Sequence, residues 1–182
     1  MAKSAQEQLV KYLTDAHAME EQSIQLLDKG STMTGDEEIA RVYRAHLMQS
    51  QEHREHILKR LEAHGESPSK VRDAAMKVGA LGVGGAALAT PDTPVTLSAA
   101  AFAFENLEIA SYKLLRSLAE RVGDTDTVSV VDRLLEQEEA AAELVAGTFD
   151  RALEVTLGES PDSSVTPVTP IGKPSERPAE AR

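Results

Sequence analysis

The chain has 182 residues, with 30 Asp and Glu against 19 Lys and Arg, a net charge of −11 and no cysteine or tryptophan. That acidity opposes a protein that tracks nucleic-acid phosphates, which needs a basic face. The absence of cysteine removes thiolate zinc sites, iron–sulfur clusters, cysteine nucleophiles and disulfides. The opening MAKSAQEQLVKYL has no long apolar core of the secretory kind, and the longest apolar run, Gly79 to Ala89, is too short and glycine-rich to span a bilayer. A cytoplasmic protein with neither membrane nor nucleic-acid partner is expected.

Apart from Pro68, Pro91 and Pro94, every proline lies beyond residue 160, which leaves two long stretches open to helix. Ser4-Ala5-Gln6-Glu7 reads as a capping box that opens helix 1, running to Lys29 with Gly30 as a left-handed stop. Thr34-Gly35-Asp36-Glu37 reads as a second box, opening helix 2, which runs to His64 before Gly65. A long connection, 65–93, follows; Ser69 to Val78 suits a short helix and GALGVGGAALA an irregular packed passage. Thr93-Pro94 opens helix 3, which Gly123 ends. Asp124 to Asp126 opens helix 4, reaching about Val155.

Short, long and short connections between four long helices predict an all-α, ferritin-like four-helix bundle with one long crossover between helices 2 and 3. The bundle is expected over 1–157. Residues 158–182 have the composition of a disordered, linker-like tail, with Val168 to Ile171 as its apolar patch.

Each helix carries an apolar stripe at three-and-four spacing, and each stripe is broken near its middle by an ionisable group. The breaks are Glu20 in helix 1, His46 and His53 in helix 2, Glu108 in helix 3 and Glu138 in helix 4. In a hairpin, residues equidistant from the turn lie level. A first turn centred near residue 32 sets Glu20 two positions from level with His46, and a second near residue 124 does the same for Glu108 and Glu138. On this register His53 lies about 10 Å further along the axis, at 1.5 Å per residue, and reads as a hydrogen-bonded seam residue. His17, Glu21, Gln49, Glu105 and Glu139 fall on the shoulders of the layer, and His56 and His64 read as solvated.

Three buried carboxylates without a Lys or Arg beside them must protonate, hydrate or bind a cation. Carboxylate and imidazole donors suit iron, manganese or zinc. The structural alternative is a wet channel in which these groups pair through water, Tyr43 or Tyr112.

At these residues the chain resembles the YciE/YciF-type ferritin-like proteins, a bacterial stress-associated family. The segments that carry the resemblance are YLTDAHAMEEQ, HLMQSQEH, AFAFENLEIASY and LEQEEAAAEL, in order across all four helices, with KRLEAHGESPS after the second. The resemblance implies a stress-associated bundle, forming a homodimer, with a carboxylate-rich centre for one or two divalent metal ions, iron or manganese. Carried over by position, the ligands are Glu20, His46, Glu105, Glu108 and Glu138 or Glu139. Two departures stand out: Gln49 replaces the family's usual Glu, and no Glu-x-x-His pair occurs in the chain, although two such pairs are usual in ferritin-like di-iron sites. The expected function is therefore a metal-binding stress protein, with weak oxidase activity as its reaction. The alternative is a metal-free bundle that serves as an interaction or assembly module.

Overall fold

A computed structural model describes residues 4–67, 71 and 94–159. It contains α1 (Ala5–Met33), α2 (Glu37–Ala63), α3 (Pro94–Val122), α4 (Thr125–Ala146) and α5 (Phe149–Leu157). The expected short helix at 69–78, the glycine-rich passage and the tail beyond residue 159 lie outside the described residues, save for Val71, which is buried in the core.

The helix starts follow capping chemistry. Ser4 accepts from the Glu7 amide and the Glu7 carboxylate accepts from the Ser4 amide, the reciprocal pair read from sequence. The cap of α2 is Asp36, however, whose carboxylate accepts from the amides of Glu38 and Ile39, and not Thr34, whose amide still donates to the Gly30 carbonyl at the end of α1. Gly30 is likewise inside α1 and not its stop. The left-handed residue is Gly35, at φ 67°, a conformation that costs glycine nothing. Gly123, at φ 77°, ends α3 as expected.

The expected fourth helix divides in two. It breaks at Gly147 and Thr148, and α5 continues beyond them, packed against α3. There Phe149 meets Phe102 edge to face at 5.5 Å, and Arg151 reaches Asp36 at 2.7 Å.

Helix α1 packs on α2 and α3, and α4 packs on α3 and α2. One apolar cluster joins Leu9 and Leu13 of α1 to Ile57 and Leu61 of α2, Leu115 of α3 and Val131 of α4. A second joins Leu27, Tyr43, Ala101 and Val145. The C-terminal halves of α2 and α3 thus share one end of the bundle, and their N-terminal halves share the other. Helices α2 and α3 are parallel, so the chain between them must travel back along a helix of 27 residues, about 40 Å. This is the physical reason for the long crossover.

Near the first end, Asp124 accepts from Arg60 at 2.9 Å and is met by His64 at 2.8 Å, while the other ring nitrogen of His64 lies 3.0 Å from the Gln6 amide. His64 is therefore a staple between α1, α2 and the start of α4, and not the solvated residue expected. Among the described residues no helix is long and apolar enough to cross a membrane.

Candidate metal centre

Between the two apolar clusters the bundle interior is ionisable. Glu20, Glu105, Glu108 and Glu138 have no exposed surface, and His46 and His53 retain 3% and 1%. The two histidines stand seven residues apart on α2, about two turns, and so share a face. Glu105 and Glu108 are one turn apart on α3 and point the same way.

Glu138 is the centre of the arrangement. One of its oxygens lies 2.7 Å from His53 Nδ1, and the other lies 3.4 Å from His46 Nε2. His46 Nε2 is also 2.7 Å from Glu105, and His53 Nδ1 is 3.6 Å from Glu20. Two donor groups result, one of His46, Glu105, Glu108 and Glu138, the other of Glu20, His53 and Glu138. In each, one donor atom per residue lies within 4.8 Å of all the others.

Neighbouring polar side chains orient these donors. His46 Nδ1 meets Gln49 Oε1 at 3.2 Å, and His53 Nε2 meets Gln137 Oε1 at 2.7 Å. Each amide oxygen selects the tautomer that donates to it and leaves the other ring nitrogen to the cluster. The Tyr112 hydroxyl donates to Glu20, and Ser23 donates to Glu108 at 3.2 Å.

Several donor atoms make no aligned hydrogen bond: Glu20 Oε2, both Glu105 oxygens, Glu108 Oε1, Glu138 Oε2 and His46 Nε2. The 2.7 Å approach of His46 to Glu105 is a close charge contact without hydrogen-bond alignment. Groups buried this way are costly unless a cation or proton compensates them, and carboxylate with imidazole is a donor set for iron, manganese or zinc. The residues present fit a divalent metal.

Electrostatics sort the cluster without any ion. Burial disfavours charge on His46, but contacts with Glu105 and Glu138 outweigh it and push the ring up to about 11. His53 is opposed by burial in the same way and raised to about 10 by Glu138 and Glu20. Burial would raise Glu138, yet the two imidazoles hold it down at about 2. Burial lifts Glu105 to about 7 despite His46. Burial also raises Glu20, and it raises Glu108 far above the usual range, with Glu20, Glu138 and Glu105 adding repulsion.

Of the residues expected from sequence, Glu20, His46, Glu105, Glu108 and Glu138 converge. Glu139 does not: it is half exposed on the surface of α4 and paired with Lys113 at 2.8 Å. A helix turns 100° per residue, so neighbouring positions cannot both face the interior layer. His53, read from sequence as too far along the axis, belongs to the cluster. The pairs Glu20–His53, Ser23–Ser50 and Gly30–Tyr43 all share a midpoint between residues 36 and 37. Taking Gly30 as a helix stop displaced the hairpin centre by more than a turn, and His53 with it.

A family model described as a domain of unknown function, DUF892, matches residues 4–156. The chain belongs to the DUF892 family. Among solved structures it is similar to a protein of Xanthomonas campestris pv. campestris, at 24% identity and TM-score 0.69, over 85% of this chain and 96% of that one. It is similar to the E. coli stress protein YciF at 22% identity and TM-score 0.65, over 87% of this chain and all of that one. It is also similar to Rhodobacter capsulatus bacterioferritin, described with a metal-free dinuclear site and haem iron, at 15% identity and TM-score 0.64, over 90% and 99% of the two chains. The fold is therefore the ferritin-like bundle expected from the connection lengths, of the YciF type.

Proposed function

We propose that this chain is a ferritin-like metalloprotein that holds two divalent ions, iron or manganese, at the mid-bundle cluster. The carrying observation is the position of Glu138 between His46 and His53, with a different oxygen toward each. On this reading His46, Glu105 and Glu108 hold one ion, Glu20 and His53 hold the other, and Glu138 is shared. Charge supports two ions over one: four buried carboxylates are neutralised by two divalent cations once both imidazoles are neutral.

A redox-active ion bound here would supply electron transfer and Lewis acidity, the basis of the weak oxidase activity proposed. The protein's part is positional. Gln49 and Gln137 fix the imidazole orientations, Tyr112 and Ser23 hold the carboxylates of Glu20 and Glu108, and the flanking apolar clusters keep bulk water out. A role in stress is supported by similarity to the E. coli stress protein YciF. The homodimer and the cytoplasmic location are extensions of the same family reading.

A metal-free assembly module is the competing reading, favoured by the ability of His46 and His53, once protonated, to neutralise part of the cluster themselves. Elemental analysis of protein purified without chelators separates the two. About two ions per chain, reduced by Glu20→Ala and by Glu108→Ala, supports the metal centre. Substoichiometric metal that neither change affects leaves the assembly module.

A further inference from the structure

Helix α5 turns its large apolar side chains outward. Of its residues only Ala152 is buried, whereas Phe149, Leu153 and Leu157 are exposed at 36%, 48% and 67%. These three stand four residues apart and form one stripe along the helix. Beside the stripe, between α5 and the start of α3, lies a groove of about 190 Å³ walled by Val95, Ala99, Phe149 and Leu153. A continuous apolar face of this kind marks a contact surface.

The chain itself supplies an occupant. Helix α5 ends on Gly158, at φ 69°, where the Glu159 amide donates back to the Glu154 carbonyl at 2.8 Å. This left-handed cap turns the backbone off the helix axis beside Leu157, at the edge of the stripe. Residues 160–182 follow, beyond the described part of the chain and beyond the family match, which closes at residue 156. They contain Val165-Thr-Pro-Val168-Thr-Pro-Ile171, with an apolar side chain at every third position. Three residues per turn is the period of a polyproline II strand, so Val165, Val168 and Ile171 share one edge of it. Proline-rich segments of that form dock in apolar, aromatic-walled grooves because little conformational entropy is lost on binding.

Reach is sufficient. From Glu159 to Val165 the backbone can extend about 20 Å, against about 12 Å from Leu157 back to Phe149. A second copy meets this face only at its bulk concentration and against repulsion between chains of net charge −11. The tethered segment is present at about millimolar effective concentration.

We propose that Val165, Val168 and Ile171 of the same chain lie along the α5 stripe and the α3–α5 groove, so that the C-terminal segment covers this end of the bundle. Helix α5 holds Arg151 on Asp36, the cap of α2, and the docked segment keeps it there. The mid-bundle cluster takes no part.

Two pairs of substitutions in the full-length chain test this. Val168→Asp with Ile171→Asp charges the apolar edge, and Thr166→Asp with Thr169→Asp adds the same charge to the next edge. Leu153→Trp, at an exposed position, introduces the only tryptophan. Its quenching by acrylamide should rise at least about twofold with the first pair and stay unchanged with the second, as the docked fraction falls. With Leu153 in place, hydrogen exchange of the α5 amides should quicken at least about fivefold with the first pair alone, because a docked segment stabilises the closed helix by mass action. A response selective for the first pair in either measurement supports the proposal. No response in both measurements overturns it and assigns the face to solvent or to the connection that precedes α3. An equal response to both pairs overturns it as a plain charge effect. Protection of α5 that falls on dilution of the parent chain overturns it in favour of a second copy.

Discussion

Gly30 of α1 lies directly against the ring of Tyr43 on α2, so close that a Cβ added at residue 30 would stand 2.9 Å from Cδ2 and Cε2 of that ring. The ring is buried, and its hydroxyl donates to Ser98 at 3.3 Å, so it cannot swing aside cheaply. This contact holds the α1–α2 hairpin in the register that sets Glu20 beside His53.

Gly30→Ala is therefore expected to destabilise the protein, although alanine in a helix interior normally gains about 1 kcal/mol over glycine. Overpacking of this kind costs about 1–3 kcal/mol, so once the helical gain is subtracted a net loss of up to about 2 kcal/mol should appear in urea unfolding. A stabilised variant would show that the ring yields and that the contact does not set the register.

Glu108 is fully buried and carries repulsion from three other carboxylates. Glu108→Gln keeps the shape and removes that burden. Metal-free protein should gain about 1–2 kcal/mol, as when a strained buried charge is neutralised, while the stabilisation on adding manganese(II) shrinks. Thermal unfolding with and without the ion checks both halves, and a loss of metal-free stability would refute the electrostatic account.

His53, set aside by linear spacing, and Glu139, a ligand by the family resemblance, exchange their importance. His53→Ala should reduce bound metal from about two ions per chain to about one, because Glu20 and Glu138 alone remain in that group. Glu139→Gln should leave metal content unchanged and alter stability by less than about 0.5 kcal/mol, since its partner Lys113 is equally exposed. Elemental analysis and denaturant melts of the two variants are the measurements.

Asp124 contributes to the acid limb alongside Glu138, which is held down in the same range. Burial opposes the charge of Asp124, but Thr127, His64 and Arg60 hold its carboxyl down at about 2. A carboxyl lowered in the folded state stabilises above its unfolded pKa, and the contribution is lost as the pH falls through the folded value. The window is thus about pH 4 down to 2, and the amount, for a group this enclosed, about 2 kcal/mol. Asp124→Asn preserves an acceptor for the Thr127 amide but loses the ionic partners. It should lower stability at neutral pH and flatten the profile across that window in acid titration followed by circular dichroism.

Local rules acted where the outcome depends on neighbours in the chain. The Ser4 cap, the end of α3 at Gly123, the apolar stripes and the length of the connection after α2 determined an all-helical bundle with a crossover, because each is a matter of backbone donors, left-handed conformation or helical period. The interruptions at Glu20, His46, Glu108 and Glu138 likewise marked a polar layer from spacing alone.

Only the tertiary structure decided the composition of that layer. Gly30 reads locally as a stop, yet it continues α1 because packing on Tyr43 stabilises the extra helical residues, and it is that packing which carries His53 into the cluster. The break at Gly147 and Thr148 follows from the seat α5 finds on Phe102 and Asp36, and the exclusion of Glu139 from which side of α4 faces inward. Register and rotation are settled by contacts between residues far apart in the chain, and no local propensity encodes them.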